Sequence, residues 1–412
     1  MNNPAVHVDE RIFMLDCARK YFTPEWIKNL IDEISAVGFN AITIHFSEEM
    51  GHRLESKTYP WLAGGDHTLC AFGKEYGCPE NDDKYLTLEE MKDIVLHARS
   101  CGVDVIPSLD SPGHMTYAVK KYLQNIGRDI GNYYHKDGKI SIVAPTVMSP
   151  DGERIPYSRG IDISNPEAVE FARKLYTEYG IFFRELGCTS FDICGDELLG
   201  WGDIGSIDTS VPKWQNLDHW KEYAIKRTGN TDAVAYDAFV LYMNDITELL
   251  HSLGYKSVRM WNDDVYRTSD TGWKEVALPD KSIDVQFWSV HTNNGEATAQ
   301  YYVDRGHNVY NFARLYTYYT LYPDKKPSFA TPEAIMKEWN PYVFAPDGSE
   351  CDDSKNTYIF PPFREGNVIK APNEKVKGAG ICLWTDTAGA KTPDEILEGI
   401  RPYFTAIAKK CL

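Results

Sequence analysis

The sequence predicts an α/β protein, a single-domain (β/α)8 TIM barrel with long βα loops. Three observations lead there. Apolar runs bounded by turn residues alternate with segments of helical period. The alternation repeats about eight times along 412 residues, the number and length that suit a barrel. Most runs are continuously apolar rather than alternating, as strands covered on both faces should be. The alternative is a doubly wound open sheet. No GxGxxG follows the first run, which counts against a dinucleotide-binding version of it.

Residues 1–10 read as an N-terminal tail and 11–412 as the barrel. RIFMLD (11–16) is the first strand. PEWIKNLIDEISAVG (24–38) follows as a helix, with Pro near its start, apolar residues at Trp26, Ile27, Leu30, Ile31, Ile34 and Val37, and Gly38 as a stop. AITIHFS (41–47) is the second strand, and TLEEMKDIVLHARSCG (87–102) a helix capped by Thr87. VDVIPSLD (103–110) is the third strand. The helix at 165–187 opens on Asn165, and TSFDICGDE (189–197) is the fourth strand. The helix at 233–254 ends on Gly254, and SVRMWND (257–263) is the fifth strand. Beyond it only a short piece around TGWKEV stands out before DVQFWSV (284–290) and NVYNFA (308–313), strands six and seven. TPEAIMKEW (331–339) and TPDEILEGIRPYFTAIAKK (392–410) are helices starting on Thr-Pro, and AGICLWTD (379–386) is the eighth strand. Long polar insertions at 48–86, 111–164 and 198–232 follow strands two, three and four. In a barrel they lie on the C-terminal face, where active sites are built. Residues 340–377 are a further irregular stretch.

Lys and Arg number 43 against 60 Asp and Glu, a net charge of −17, so a nucleic acid is not an expected partner. Aromatic residues reach 13 %, which suits a site that stacks on the apolar faces of sugars. No apolar run is long enough to span a membrane, and the N-terminus carries no signal-like segment. The nine cysteines form no CxxC and no regular framework, so the expected setting is reducing and cytoplasmic. No HExxH or Cys/His cluster suggests a metal, and neither a metal nor another cofactor is expected. Oligomeric state is not legible.

Chemistry collects at the strand ends. Strand one runs into Asp16 and Arg19. Strand two ends near His45, Glu48 and Glu49, and strand three at Asp110, followed by Pro112, Gly113 and His114. Strand four ends on Asp196 and Glu197. Strand five carries Trp261 and Asp263, and strand six Trp288. The segment after strand seven carries Tyr316, Tyr318 and Tyr319, and strand eight Trp384 and Asp386. A lone strand-end Asp is as readily a helix cap. Eight consistent strand ends describe a rim.

The pair in FDICGDELLGW (191–201) is the most telling. Adjacent like charges repel, and burial raises the pKa of either, so a fold keeps such a pair mainly where it works. Two flanking carboxylates are the usual glycosidase arrangement. Neighbours in sequence do not easily straddle a bond. They suit another division: one acid protonates a leaving oxygen, and the other holds a nucleophile that belongs to the substrate, such as a 2-acetamido group.

FDICGDE resembles the strand-four motif of glycoside hydrolase family 20, the β-N-acetylhexosaminidases, which depart from the two-carboxylate scheme through substrate assistance. FMLDCARKYF, IHFSEEMGHRLE, VIPSLDSPGH, MWNDD, VQFWS and LWTD resemble the family's other strands, in order, along nearly all of 11–412. The resemblance implies that Glu197 is the general acid and then base. It implies that Asp196 holds the acetamido N–H and stabilises an oxazolinium intermediate. It also implies a Tyr after strand seven on the acetamido oxygen, with Tyr319 preferred over Tyr318. By the same resemblance, Arg19 and Asp386 are expected to bind sugar hydroxyls, and Trp261, Trp288 and Trp384 to wall the pocket. His114, with Asp110 or an acid of the Glu48–Glu49 pair, supports the catalytic pair. The implied partner is an oligosaccharide with a terminal β-linked N-acetylhexosamine.

Three positions depart from the family pattern. Members commonly carry two Asp and then a Trp in the second-strand loop; here stand Glu48, Glu49 and then His52. An Asp commonly lies two residues after the catalytic Tyr; here that place is Leu321 or Thr320. Glu is common where this chain has Asp386. These changes fall on the groups that read the outer sugar. A lacto-N-biosidase releasing Galβ1-3GlcNAc is therefore the first alternative to a β-N-acetylhexosaminidase. A barrel that binds amino-sugar glycans without cleaving them is the second.

Overall fold

The structure is a computed structural model. It describes residues 4–132, 160–197, 217–266, 274–288, 297–322, 327–328, 330–344 and 366–412, together with the backbone of short strands at 135–136, 139–140, 146–148, 154–156, 351–352 and 357–358. Eight parallel strands close a barrel. They are β1 (Glu10–Asp16), β2 (Ala41–His45), β3 (Asp104–Ser108), β4 (Ser190–Asp192), β5 (Ser257–Trp261), β6 (Ile283–Phe287), β7 (Val309–Asn311) and β8 (Val376–Trp384). They lie side by side in chain order, and β8 returns to β1 in register from Glu10↔Gly378 to Leu15↔Leu383. The predicted (β/α)8 barrel is what forms.

Side chains alternate across each strand. In β1, Ile12 and Met14 join the apolar cluster inside the barrel, while Phe13 and Leu15 join the larger core between strands and helices. Gly380 sits where β8 approaches β1 closely: a Cβ there would lie 2.2 Å from the carbonyl oxygen of Ile12. At the N-terminal end of the barrel, buried Arg259 pairs with Glu10 at 2.7 Å and lies 4.2 Å over the Tyr310 ring.

The helices form where the caps indicate. α1 (Pro24–Val37) starts on Thr23, whose side chain accepts from the Trp26 amide, and ends on Gly38 at φ 106°. α2 (Leu88–Ser100) has a complete capping box between Thr87 and Glu90. Four further helices precede the fifth strand of the barrel and one follows its sixth: α3 (Thr116–Ile126), α4 (Pro166–Glu185), α5 (Asp218–Thr228) and α6 (Ala235–Ser252), with α5 packed on α6, and then α7 (Ala299–Arg305). One turn, α8 (Arg314–Thr317), then α9 (Pro332–Glu338) and α10 (Pro393–Cys411) complete the set; the last two are capped by the Thr of each Thr-Pro. Among the described residues no helix is long and apolar enough to cross a membrane.

The structure corrects several boundaries. α3 and α5 lie inside stretches that read as polar insertions, and seven-residue α7 is too short to show a period. Of the TGWKEV stretch, 271–273 fall outside the described residues and 274–276 are not helical. The tail is not loose: the Val6 and Val8 amides donate to the carbonyls of Lys410 and Cys411 at 3.0 and 3.2 Å, and Val8 is buried. After β7 the chain makes α8 and then a short strand, Tyr318–Thr320, beside the upper half of β8. The seventh place in the wall is therefore filled by two pieces.

Candidate active site

β4 ends at Asp192, five residues before its expected limit, because the backbone turns left-handed. Cys194, Gly195 and Glu197 have φ of 54°, 79° and 44°. Non-glycine residues held there cost about 1–3 kcal/mol each and gather at functional sites. Gly195 suits its positive φ, and a Cβ there would lie 2.8 Å from the Met243 Cε methyl, which would have to shift. The turn brings both acids to one imidazole. His114 Nε2 is 3.5 Å from Glu197 Oε2 and 3.9 Å from Asp196 Oδ2.

His114 links them to a buried ionic chain. Its Nδ1 lies 3.0 Å from Glu48 Oε2 and 3.5 Å from Glu49 Oε2. Glu48 Oε1 accepts from Arg19 at 2.6 Å, and Arg19 also pairs with Asp16 at 3.0 Å. Asp16 fastens β1 to β8 by accepting from the Thr385 amide and hydroxyl, both at 3.0 Å. Burial works against a charge on His114, but Glu48, with hydrogen bonds to Glu197, Glu48 and Glu49, outweighs it and raises the imidazole pKa well above its usual value. Burial likewise opposes the Glu48 charge, and Arg19 and then His114 hold it well below the carboxylate range. Asp110 sits 3.3 Å from His45 Nε2, and His45 Nδ1 meets Ser108 Oγ at 2.9 Å. Burial pushes Asp110 up against the pull of His45. Asp196 is pushed well up, by burial first, with His114 opposing and Asp110, Asp263 and Glu197 adding.

Aromatic rings cover this floor. Trp288 and Tyr318 stack with centroids 5.9 Å apart at 9°. Trp384 lies 5.8 Å from Tyr318 and 6.2 Å from Trp261. Arg19 sits 5.6 Å from the Trp384 ring. Asp386 is pushed up to about 6, by burial first, with Arg19 opposing and Asp16 and Glu49 adding. Among the described residues, Asp196 Oδ1, Asp386 Oδ2, Arg19 Nε, Trp261 Nε1 and Trp384 Nε1 are buried and meet no hydrogen-bond partner. Each such atom costs about 1–3 kcal/mol. Their gathering on one rim indicates a polar ligand with apolar faces.

The structure brings together Arg19, Glu48, Glu49, Asp110, His114, Asp196, Glu197, Trp261, Trp288, Tyr318, Trp384 and Asp386. It does not bring Tyr319. Parity decides this: Tyr318 belongs to the cluster inside the barrel, and Tyr319 turns outward to the helical layer. There its ring is 5.4 Å from Tyr403, and Lys391 Nζ donates to its hydroxyl at 3.4 Å. The preference for Tyr319 is therefore corrected to Tyr318. Tyr318→Phe is expected to lower kcat about 10²-fold, the order for losing one donor to a reacting oxygen. Tyr319→Phe is expected to leave kcat unchanged. Steady-state kinetics on the two variants checks this, and the reverse ranking would restore Tyr319.

The profile of glycosyl hydrolase family 20, catalytic domain, matches residues 10–409. The chain belongs to glycosyl hydrolase family 20. Among its curated relatives, the Lacto-N-biosidase of Bifidobacterium bifidum is 26 % identical over 339 residues, covering 77 % of this chain and 23 % of that protein. The Beta-hexosaminidase of Vibrio vulnificus is 23 % identical over 413 residues, covering 95 % of this chain and 44 % of that one. The family 20 chain thus spans less than half the length of either. Dispersin B superposes with a TM-score of 0.64 at 21 % identity, covering 98 % of this chain and 99 % of that one, which shows the shared fold.

Three polar residues of this family 20 site escaped a role in the sequence reading. His45 braces Asp110. Arg314 lies 5.9 Å from the Trp288 ring. Asp263 accepts from the Glu197 amide at 3.2 Å and from the Trp288 indole N–H, tying the acid to the pocket wall. The doubled acid in WNDD, like that in GDE, was its one sequence signal. Burial first, then Asp264 and Glu197, push Asp263 up to about 8. A carboxyl raised above its unfolded value of 3.8 keeps a proton that the unfolded chain has lost. Its contribution therefore lowers stability as pH rises from about 4 to about 8. Asp263→Asn, which keeps one of two acceptors, is expected to lower Tm at the acid end and to gain on the parent as pH rises. A Tm difference that stays constant across that range contradicts the assignment.

Proposed function

We propose that this family 20 chain is an exo-acting, retaining β-N-acetylhexosaminidase that releases terminal β-linked GlcNAc, or GalNAc, through an oxazolinium intermediate. The observation that carries the reading is the strained turn that sets Asp196 and Glu197 on one histidine beneath an aromatic cage. Glu197 donates its proton to the glycosidic oxygen as the C1–O bond breaks. The acetamido carbonyl oxygen of the substrate closes on C1 from the other face. Asp196 accepts from the acetamido N–H and offsets the positive charge of the new ring, and Tyr318 donates to the acetamido oxygen. Water then attacks C1 and gives its proton to Glu197 as the C1–O bond to the acetamido oxygen breaks and the acetamido group is restored. Two inversions give net retention. His114, held by Glu48, orients both acids.

A lacto-N-biosidase is the second reading. It is favoured by Thr320, which now occupies the place two residues after the pocket tyrosine. Thr320 is buried, and its amide donates to the carbonyl of Pro327 at 2.6 Å. No carboxylate stands there to close the pocket around one sugar. The test compares p-nitrophenol release from the β-GlcNAc and β-lacto-N-bioside glycosides, with Glu197→Gln as control. Release from the monosaccharide supports the first reading, and release from the disaccharide alone the second. Release from neither moves weight to glycan binding without cleavage.

A further inference from the structure

A cluster with no part in this chemistry lies on the outer helical layer. Asp32 of α1 and His97 of α2 meet Cys101, the residue that caps α2. Asp32 Oδ1 is 2.8 Å from His97 Nε2 and 3.3 Å from Cys101 Sγ, and Nε2 and Sγ are 3.7 Å apart. Cys101 comes three residues before β3 starts, so the cluster lies near the N-terminal end of the barrel, away from the catalytic rim. We propose that Asp32, His97 and Cys101 form a surface site for a borderline divalent transition metal, of the zinc class.

The donor set is a mixed S, N, O set of the kind zinc takes. Zn–N of ~2.0–2.1 Å, Zn–S of ~2.3 Å and Zn–O of ~2.0–2.2 Å around a tetrahedron place ligand atoms ~3.3–3.6 Å apart. The three observed edges surround those values. One imidazole nitrogen serves both other ligands, which suits convergence on an ion and not a relay through the ring. His97 and Cys101 are spaced i, i+4 on one face of the helix end. The frame is already set: Ser35 Oγ of α1 donates to the Cys101 carbonyl at 2.8 Å, and Lys28 pairs with Asp93 across the same two helices at 2.6 Å. Asp32 is exposed and His97 half-buried, which leaves room for water as the fourth ligand. On binding, the thiol proton leaves to solvent, and the imidazole carries its proton on Nδ1 so that the Nε2 lone pair meets the metal. The ion then staples α1 to α2.

The test titrates the reduced full chain with Co2+ and reads the thiolate-to-cobalt charge-transfer band, then repeats the titration with Zn2+ present. The expected result is a saturable band, removed by Zn2+, absent in Cys101→Ser and shifted at least tenfold to higher Co2+ in His97→Ala. Zn2+ is expected to raise the Tm of the parent and not of Cys101→Ser, with glycosidase activity alike in both. No band, or a band kept in folded Cys101→Ser, overturns the proposal.

Discussion

Glu197→Gln is expected to lower kcat on the cleaved glycoside by about 10²–10⁴-fold, the range that positioned acid–base groups supply. The amide has the size of the carboxyl and no proton to give to the leaving oxygen. Binding is expected to persist, because the aromatic walls, Arg19 and Asp386 are untouched. The signature is a collapse in kcat with affinity for a non-hydrolysable amino sugar retained, measured by calorimetry. A p-nitrophenyl leaving group needs less protonation than a sugar, so the loss is expected to be larger on a disaccharide substrate. Equal losses on both would mean that Glu197 acts in the second step alone.

Asp196→Asn is expected to cost about 10²–10³-fold in kcat, the order seen when one preorganised electrostatic contact to developing charge is lost. Asn can still sit beside the acetamido group, but it brings no charge. The effect should fall on kcat far more than on ground-state binding, since in the proposed mechanism the positive ring exists only along the reaction path. The free protein shows the cost of keeping this acid: burial pushes Asp196 well up, His114 opposes it, and Asp110, Asp263 and Glu197 add to the rise. Asp196→Asn is therefore also expected to raise Tm at neutral pH. A variant both slower and more stable is the mark of an acid retained for work; one that is slower and less stable would assign Asp196 to the framework.

How far the site was legible varies with the kind of signal. Strand ends were legible because an apolar run that stops on a carboxylate or a tryptophan is visible in one dimension, and Asp110, Asp196, Trp261, Trp288 and Trp384 all fall on the rim. The choice between Tyr318 and Tyr319 was not. It depends on the parity of a three-residue strand, and α8 resets that parity within four residues. The end of β4 was overrun because left-handed backbone at Cys194 and Glu197 leaves no mark in residue type; only Gly195 hinted at it. The role of Asp263 needed three dimensions, since its two donors lie 66 and 25 residues away. The Asp32–His97–Cys101 cluster was not legible because Asp32 is 65 residues from His97, and the i, i+4 His97–Cys101 pair has no motif name.

The central claim is that the substrate's own acetamido group is the nucleophile. It is tested most directly by a series of aryl β-glycosides bearing acetyl, fluoroacetyl, difluoroacetyl and trifluoroacetyl groups on the 2-amino nitrogen. Each fluorine withdraws electrons from the carbonyl oxygen and changes size little. The account predicts a steep, monotonic fall in kcat/KM along the series. A flat series would contradict it and place the nucleophile on the protein or on water.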